Sequence, residues 1–142
     1  MSYRAEVNHV EVFLELHGFE DITHEEISTR LGVEPTKSYV KGQPVNPPVS
    51  RLTPYNRWLF QTYTKEGLWL DVEGQLDQIL ALVSSRWEVF EALATHYQVL
   101  VKCAVFIYVK NNQSTPPVYL ERRHVAMLER LQAEFDVDLY AQ

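Results

Sequence analysis

The chain carries a single cysteine, Cys103, in 142 residues. That excludes an intramolecular disulfide and any zinc site built on several thiolates. Its five glycines are scattered singly, so they build no phosphate-cradling loop or dinucleotide fingerprint, and no Gly-x-Ser-x-Gly elbow occurs. No apolar run approaches the ~20 residues that cross a bilayer. Basic residues are scarce: 13 Lys and Arg against 19 Asp and Glu leave a net charge of −6. This balance disfavours nucleic-acid phosphates and anionic membranes as partners. The densest basic cluster is Arg122-Arg123-His124, and two arginines are too few to reverse it. The opening residues, Met1-Ser2-Tyr3-Arg4-Ala5-Glu6, lack the apolar core of a signal peptide, so the cytosol is the expected compartment.

What is present is a legible series of elements. Val10, Val12, Leu14 and Leu16 alternate with Glu11, Phe13, Glu15 and His17, the period of a half-buried strand, which Gly18 ends. Thr23 and Glu26 form a capping box for a helix presenting Ile27 and Leu31. Gly32 can close that helix in the left-handed conformation, and Pro35 forbids its continuation. A short strand near Ser38–Lys41 turns at Gly42. Four of the seven prolines then fall between Gln43 and Asn56, which makes that segment a loop. Trp58, Phe60 and Tyr63 mark a strand over Arg57–Tyr63. Asp71 caps a helix with Val72, Leu76, Ile79, Leu80 and Val83 on one face, and Ser85 with Glu88 predicts a second capping box, opening a helix with Trp87, Phe90 and Ala94. Val99–Val109, charged only at Lys102, reads as a central strand covered on both faces. A short strand at Val118–Leu120, a helix over about Glu121–Glu134 and a last strand through Val137, Leu139 and Tyr140 complete the chain.

This order predicts one α+β domain over residues 1–142. Its mixed or antiparallel sheet would be built from two β-α-β halves, a ferredoxin-like sandwich with helices mainly on one face.

With the elements placed, the chain resembles an uncharacterised bacterial family, the domain of unknown function 4279. The resemblance rests on Leu31-Gly32-Val33-Glu34-Pro35-Thr36, on Lys37 or Ser38 with Gly42, and on Trp58 opening a strand. The Leu76…Leu80 helix, the Val99–Val109 strand and the ending Val137-Asp138-Leu139-Tyr140 are also similar to the family pattern. It implies the fold and carries no activity with it.

Three groups of residues are candidates for chemistry. His9, Glu11, Phe13, Glu15 and His17 share one side of the first strand. Glu15 and His17 could hold a divalent ion or act as an acid–base pair; the simpler account is a solvated strand face. Arg122, Arg123 and His124 could receive an anion at the start of the last helix, against the simpler account of solvated arginines. The proline-rich loop brings Arg51, Tyr55, Arg57 and Trp58 near Tyr39 and Lys41, residue types favoured at binding hot spots; Trp58 also suits the core. Cys103, mid-strand among valines, reads as a small buried hydrophobe.

The expected function is therefore a non-enzymatic cytosolic binding module for a protein partner, an immunity-type masking role among the options. No catalytic residue, metal set or cofactor is assigned. The alternative is a small-molecule-binding protein or hydrolytic enzyme using Glu15/His17 or the Arg122-Arg123-His124 patch. A homodimer formed through a sheet edge or face, with Phe13 as a contact, is the third expectation.

Overall fold

A computed structural model describes residues 7–44, 52–63, 70–112 and 114–142. Five strands, β1 (His9–His17), β2 (Lys37–Tyr39), β3 (Arg57–Gln61), β4 (Gln98–Ile107) and β5 (Glu134–Ala141), form one sheet in the order β2-β3-β1-β4-β5. Four helices, α1 (His24–Leu31), α2 (Val72–Ser84), α3 (Trp87–His96) and α4 (Arg122–Arg130), complete the mixed α+β architecture. β1 runs antiparallel to both β3 and β4, β2 antiparallel to β3, and β4 parallel to β5.

Period-two patterning decides which face the helices cover. Val10, Val12, Leu14 and Leu16 of β1 stand opposite Val105, Cys103, Val101 and Val99 of β4. These residues join Trp58, Ile27 and Leu31 of α1, Leu76 and Ile79 of α2, Phe90 of α3 and Met127 of α4 in one buried cluster. All four helices therefore lie against the same face. Burying each of these large side chains is worth about 1.5–3 kcal/mol.

On the opposite face, transverse rows cross the sheet: Tyr39–Arg57–His17–Gln98, then Leu59–Glu15–Leu100–Glu134. Further along come Gln61–Phe13–Lys102–Asp136 and finally His9–Phe106–Tyr140. β4, expected to be covered on both faces, is buried on its helix-facing side and largely half-buried on the other. Among the described residues its second face packs against neighbouring strand side chains, including a His9–Phe106–Tyr140 ring stack with centroids 4.5 and 4.9 Å apart.

Local signals held at most boundaries. Thr23 Oγ1 accepts from the Glu26 N–H, and Gly32 caps α1 at φ 70°. Any side chain at Gly32 would also collide with the Arg86 guanidinium, 2.8 Å from a Cβ placed there. Ser85 does not open α3: it stays in helical conformation as the C-cap of α2, its hydroxyl donating back to the Leu82 carbonyl at 2.6 Å. Arg86 precedes α3 with no side-chain cap bond. The segment 118–120 is not a strand. α4 stops at Arg130 and Gln132 takes φ 50°, which frees Glu134 to start β5 earlier than the apolar pattern indicates.

β1 is longer than β3, and the mismatch is repaired from α2. The β1–β3 register covers Phe13 to His17 only, after which the Thr62 N–H reaches the Val12 carbonyl at 3.1 Å. The Val12 N–H and Val10 carbonyl are left without a strand partner. Gln75, 2% exposed, supplies both: its Oε1 accepts from Val12 N–H at 3.2 Å and its Nε2 donates to the Val10 carbonyl at 3.0 Å. Thr62 Oγ1 donates to the same Oε1 at 2.7 Å. Gln75→Ala should lower stability by about 2–4 kcal/mol, the cost of stranding buried backbone groups. Urea unfolding measures it, and a variant with the wild-type midpoint would refute this role.

Candidate functional site

At the end of β1 where Gly18 breaks the strand, a cleft of about 300 Å³ opens, lined by His17, Gly18, Tyr55, His96, Tyr97 and Gln98. Each element delivers one part. β1 ends on His17, which faces away from the helices and stands opposite Arg57 on β3 and Gln98 on β4. α3 ends on His96, and Tyr97 follows in extended conformation before β4 begins. The proline-rich loop returns Tyr55 edge-on to the His17 ring, centroids 5.0 Å apart. Tyr97 Oη donates to Asp21 Oδ1 at 2.5 Å; that bond holds the Asp21 carboxyl below its usual range and the Tyr97 phenol above its own.

Beside His17 lies a buried charge pair. The Glu15 side chain is 4% exposed and is engaged by the Arg57 Nε, and Arg57 also sits over the Tyr39 ring, 4.7 Å from its centroid. Breaking one side of such a pair costs about 3–5 kcal/mol, so Arg57 is an anchor for the loop's return as well as a surface group. His17 Nδ1 lies 3.9 Å from Glu15 Oε2, outside hydrogen-bond range, and is the one buried side-chain nitrogen without a partner among the described residues.

Two groups that sequence spacing kept apart thus meet. Glu15 and His17 of the first strand and Tyr39, Tyr55 and Arg57 around the loop form one continuous cluster. Lys41 lies farther out, bonded to Glu20 at 2.5 Å. Trp58 is fully buried, with Nε1 donating to Ser28 Oγ at 3.0 Å. Arg51 lies outside the described residues. Phe13 is half-buried on the helix-free face between Gln61 and Lys102. His96, Tyr97 and Gln98 went unnoticed in the sequence, because a helix end followed by a polar strand start carries no pattern that marks a cleft.

The Arg122-Arg123-His124 cluster is already internally engaged. Arg123 grips Asp77 through two bonds of 2.8 and 3.0 Å and also reaches Glu121. His124 is fully buried: its Nδ1 accepts from the Glu121 N–H at 3.1 Å, so its Nε2 carries the proton it donates to Asp77 at 2.8 Å. The Arg123 bonds hold the Asp77 carboxyl below its usual range; burial opposes them, and the His124 bond adds to the lowering. The cluster staples α4 to α2, leaving Arg122 exposed.

No group of three or more His, Cys, Asp and Glu side chains that could hold a metal occurs among the described residues. Nor is any helix among them long and apolar enough to cross a membrane. The fold and cleft define an α+β domain with one helical layer, whose imidazole and phenol groups gather at the end of its central strands. The chain belongs to the family described as Domain of unknown function (DUF4279), which it matches over residues 6–142. No curated protein and no solved structure matches it.

Cys103 is fully buried on the helix-facing side of β4, and burial pushes its thiol up to about 12. An unfolded thiol ionises near pH 8.5. Between about pH 8.5 and 12 the unfolded chain has therefore lost a proton that the native chain keeps. Stability should fall there by roughly 1.4 kcal/mol per pH unit from this one group. Urea midpoints taken from pH 8 to 10 should show that extra slope for the wild type and its absence in Cys103→Ala. Equal slopes would refute it.

Proposed function

We propose that this protein is a non-enzymatic, cytoplasmic recognition module that takes a protein partner at the cleft ending β1 and the adjoining Tyr39–Arg57–His17–Gln98 row. The carrying observation is the cleft itself. At about 300 Å³ it sits at the bottom of the range for ligand pockets, the right scale for one anchoring side chain. Its lining of two imidazoles, two phenols and an amide offers ring faces and hydrogen bonds together, the chemistry of interface hot spots. The net charge of −6 favours a basic partner and fits an immunity-type masking role. A lone unpaired thiol accords with a cytoplasmic setting.

An acid–base dyad is a weaker reading of the same residues, since Glu15 is held by Arg57 and stands 3.9 Å from His17 Nδ1. The finer fold description, two β-α-β halves of ferredoxin-like type, draws support from β1-α1-β2 and β4-α4-β5. Each is a pair of like-directed strands joined through one helix. They differ in that β3 lies between β1 and β2, whereas β4 and β5 are neighbours.

A photo-crosslinking residue replacing Tyr55, 41% exposed, should join a partner in cells that make the protein. The same residue replacing Tyr63, 70% exposed just past the end of β3 remote from Arg57, should not. Adding His17→Ala and His96→Ala should cut the Tyr55 product at least tenfold. Equal products at both positions, no product at Tyr55, or a product indifferent to the histidines would overturn the proposal.

A further inference from the structure

β5 closes one edge of the sheet, and among the described residues it pairs with β4 alone. Gln142, which follows it, donates its N–H to the Ile107 carbonyl at 2.8 Å, and its C=O accepts from the Val109 N–H just past β4 at 2.9 Å. Backbone direction alternates along a strand, so the N–H and C=O groups of Phe135, Val137, Leu139 and Ala141 point off the edge. Such a row is a template for another strand. The helical layer does not reach over it: Val137 is 45% exposed and Leu139 64%. On the other face stand Glu134, Asp136 and Asp138, of which Asp138 is paired with Lys102 at 2.6 Å.

These features choose between occupants. A second copy pairing antiparallel about a two-fold axis would set acid against acid in every register centred on a residue from Phe135 to Asp138. With the axis at Val137, for example, Asp136 opposes Asp138 of the other chain. Like charges directly opposite destabilise a strand pair. The same acids attract a strand whose alternate side chains are basic, while its remaining apolar side chains would cover Val137 and Leu139. We propose that the β5 edge accepts, by strand addition, an extended segment in which basic and apolar residues alternate. Main-chain bonds supply the pairing, and Glu134 and Asp136 supply the sign of charge. This site is separate from the His17–Tyr97 cleft and stands without it.

The probes are three capped decapeptides: alternating Lys-Val, a block peptide of the same composition, and alternating Glu-Val. The Lys-Val peptide should bind at least tenfold more tightly than either of the others, by fluorescence anisotropy. It should also slow amide hydrogen exchange at Val137 and Leu139. Glu134→Gln with Asp136→Asn, which leaves the fold's core untouched, should weaken it at least tenfold. His17→Ala should leave it unchanged, so that failure of the cleft and failure of the edge are told apart. Equal binding of the block and alternating peptides, unprotected edge amides, or a dimer in sedimentation whose Val137 and Leu139 amides are protected without peptide would each overturn the proposal.

Discussion

One buried amide does the work of a missing strand. β1 has to be longer than β3, because its far half pairs with β4 up to Phe106 while β3 ends at Gln61. Water cannot satisfy the backbone left over at Val10 and Val12, since both residues are fully buried. Gln75 satisfies it from α2. That bond set does more than close a gap: it fixes the rotation of α2 over β1, and with it the side of α2 that meets the rest of the helical layer. Asp77, two residues on, is then placed to take Arg123 and His124 of α4. The helical layer is thus keyed to the sheet by polar groups whose alternatives are unsatisfied. Apolar burial alone would tolerate several rotations.

A second keyed contact organises the opposite face. The Glu15 side chain is deeply buried, and Arg57 engages it from the strand that follows the proline-rich loop. The guanidinium stacks on Tyr39 while His24 Nε2 donates to the carbonyls of Tyr39 and Arg57 at 2.9 and 3.2 Å. The loop's return is therefore pinned by side chains from α1, β1 and β2 together. Tyr55 lands beside His17 because of that pinning, and the cleft with Tyr97 follows. The groups lining the cleft are thus ordered by the fold itself, an arrangement that limits the entropy a ligand would cost on binding.

Charge is distributed with similar economy. Most of the scarce cations that have assigned partners sit against acids at the joints between elements, as Arg123 does at Asp77 and Glu121, and Arg130 at Glu91. Acids remain in excess at the edge of the sheet, where Glu134 and Asp136 accompany exposed Val137 and Leu139.

The sequence by itself determined the elements whose cause is local. Alternation made β1. The Thr23 cap and Gly32 bounded α1. Helical spacing marked α2, and the apolar run marked β4 as an internal strand. It also identified Cys103 as buried and the chain as a member of its family. Where a second element competes for the same group, local signals failed. The Ser85 hydroxyl turned back to α2 instead of opening α3, and the polar start of β5 is held by β4 pairing that no propensity records. Tertiary structure alone decided that Glu15 is met by Arg57, and that His17, Tyr55, His96 and Tyr97 share a cleft. Those outcomes depend on contacts between residues tens of positions apart, and a one-dimensional pattern carries periodicity and caps but no distances.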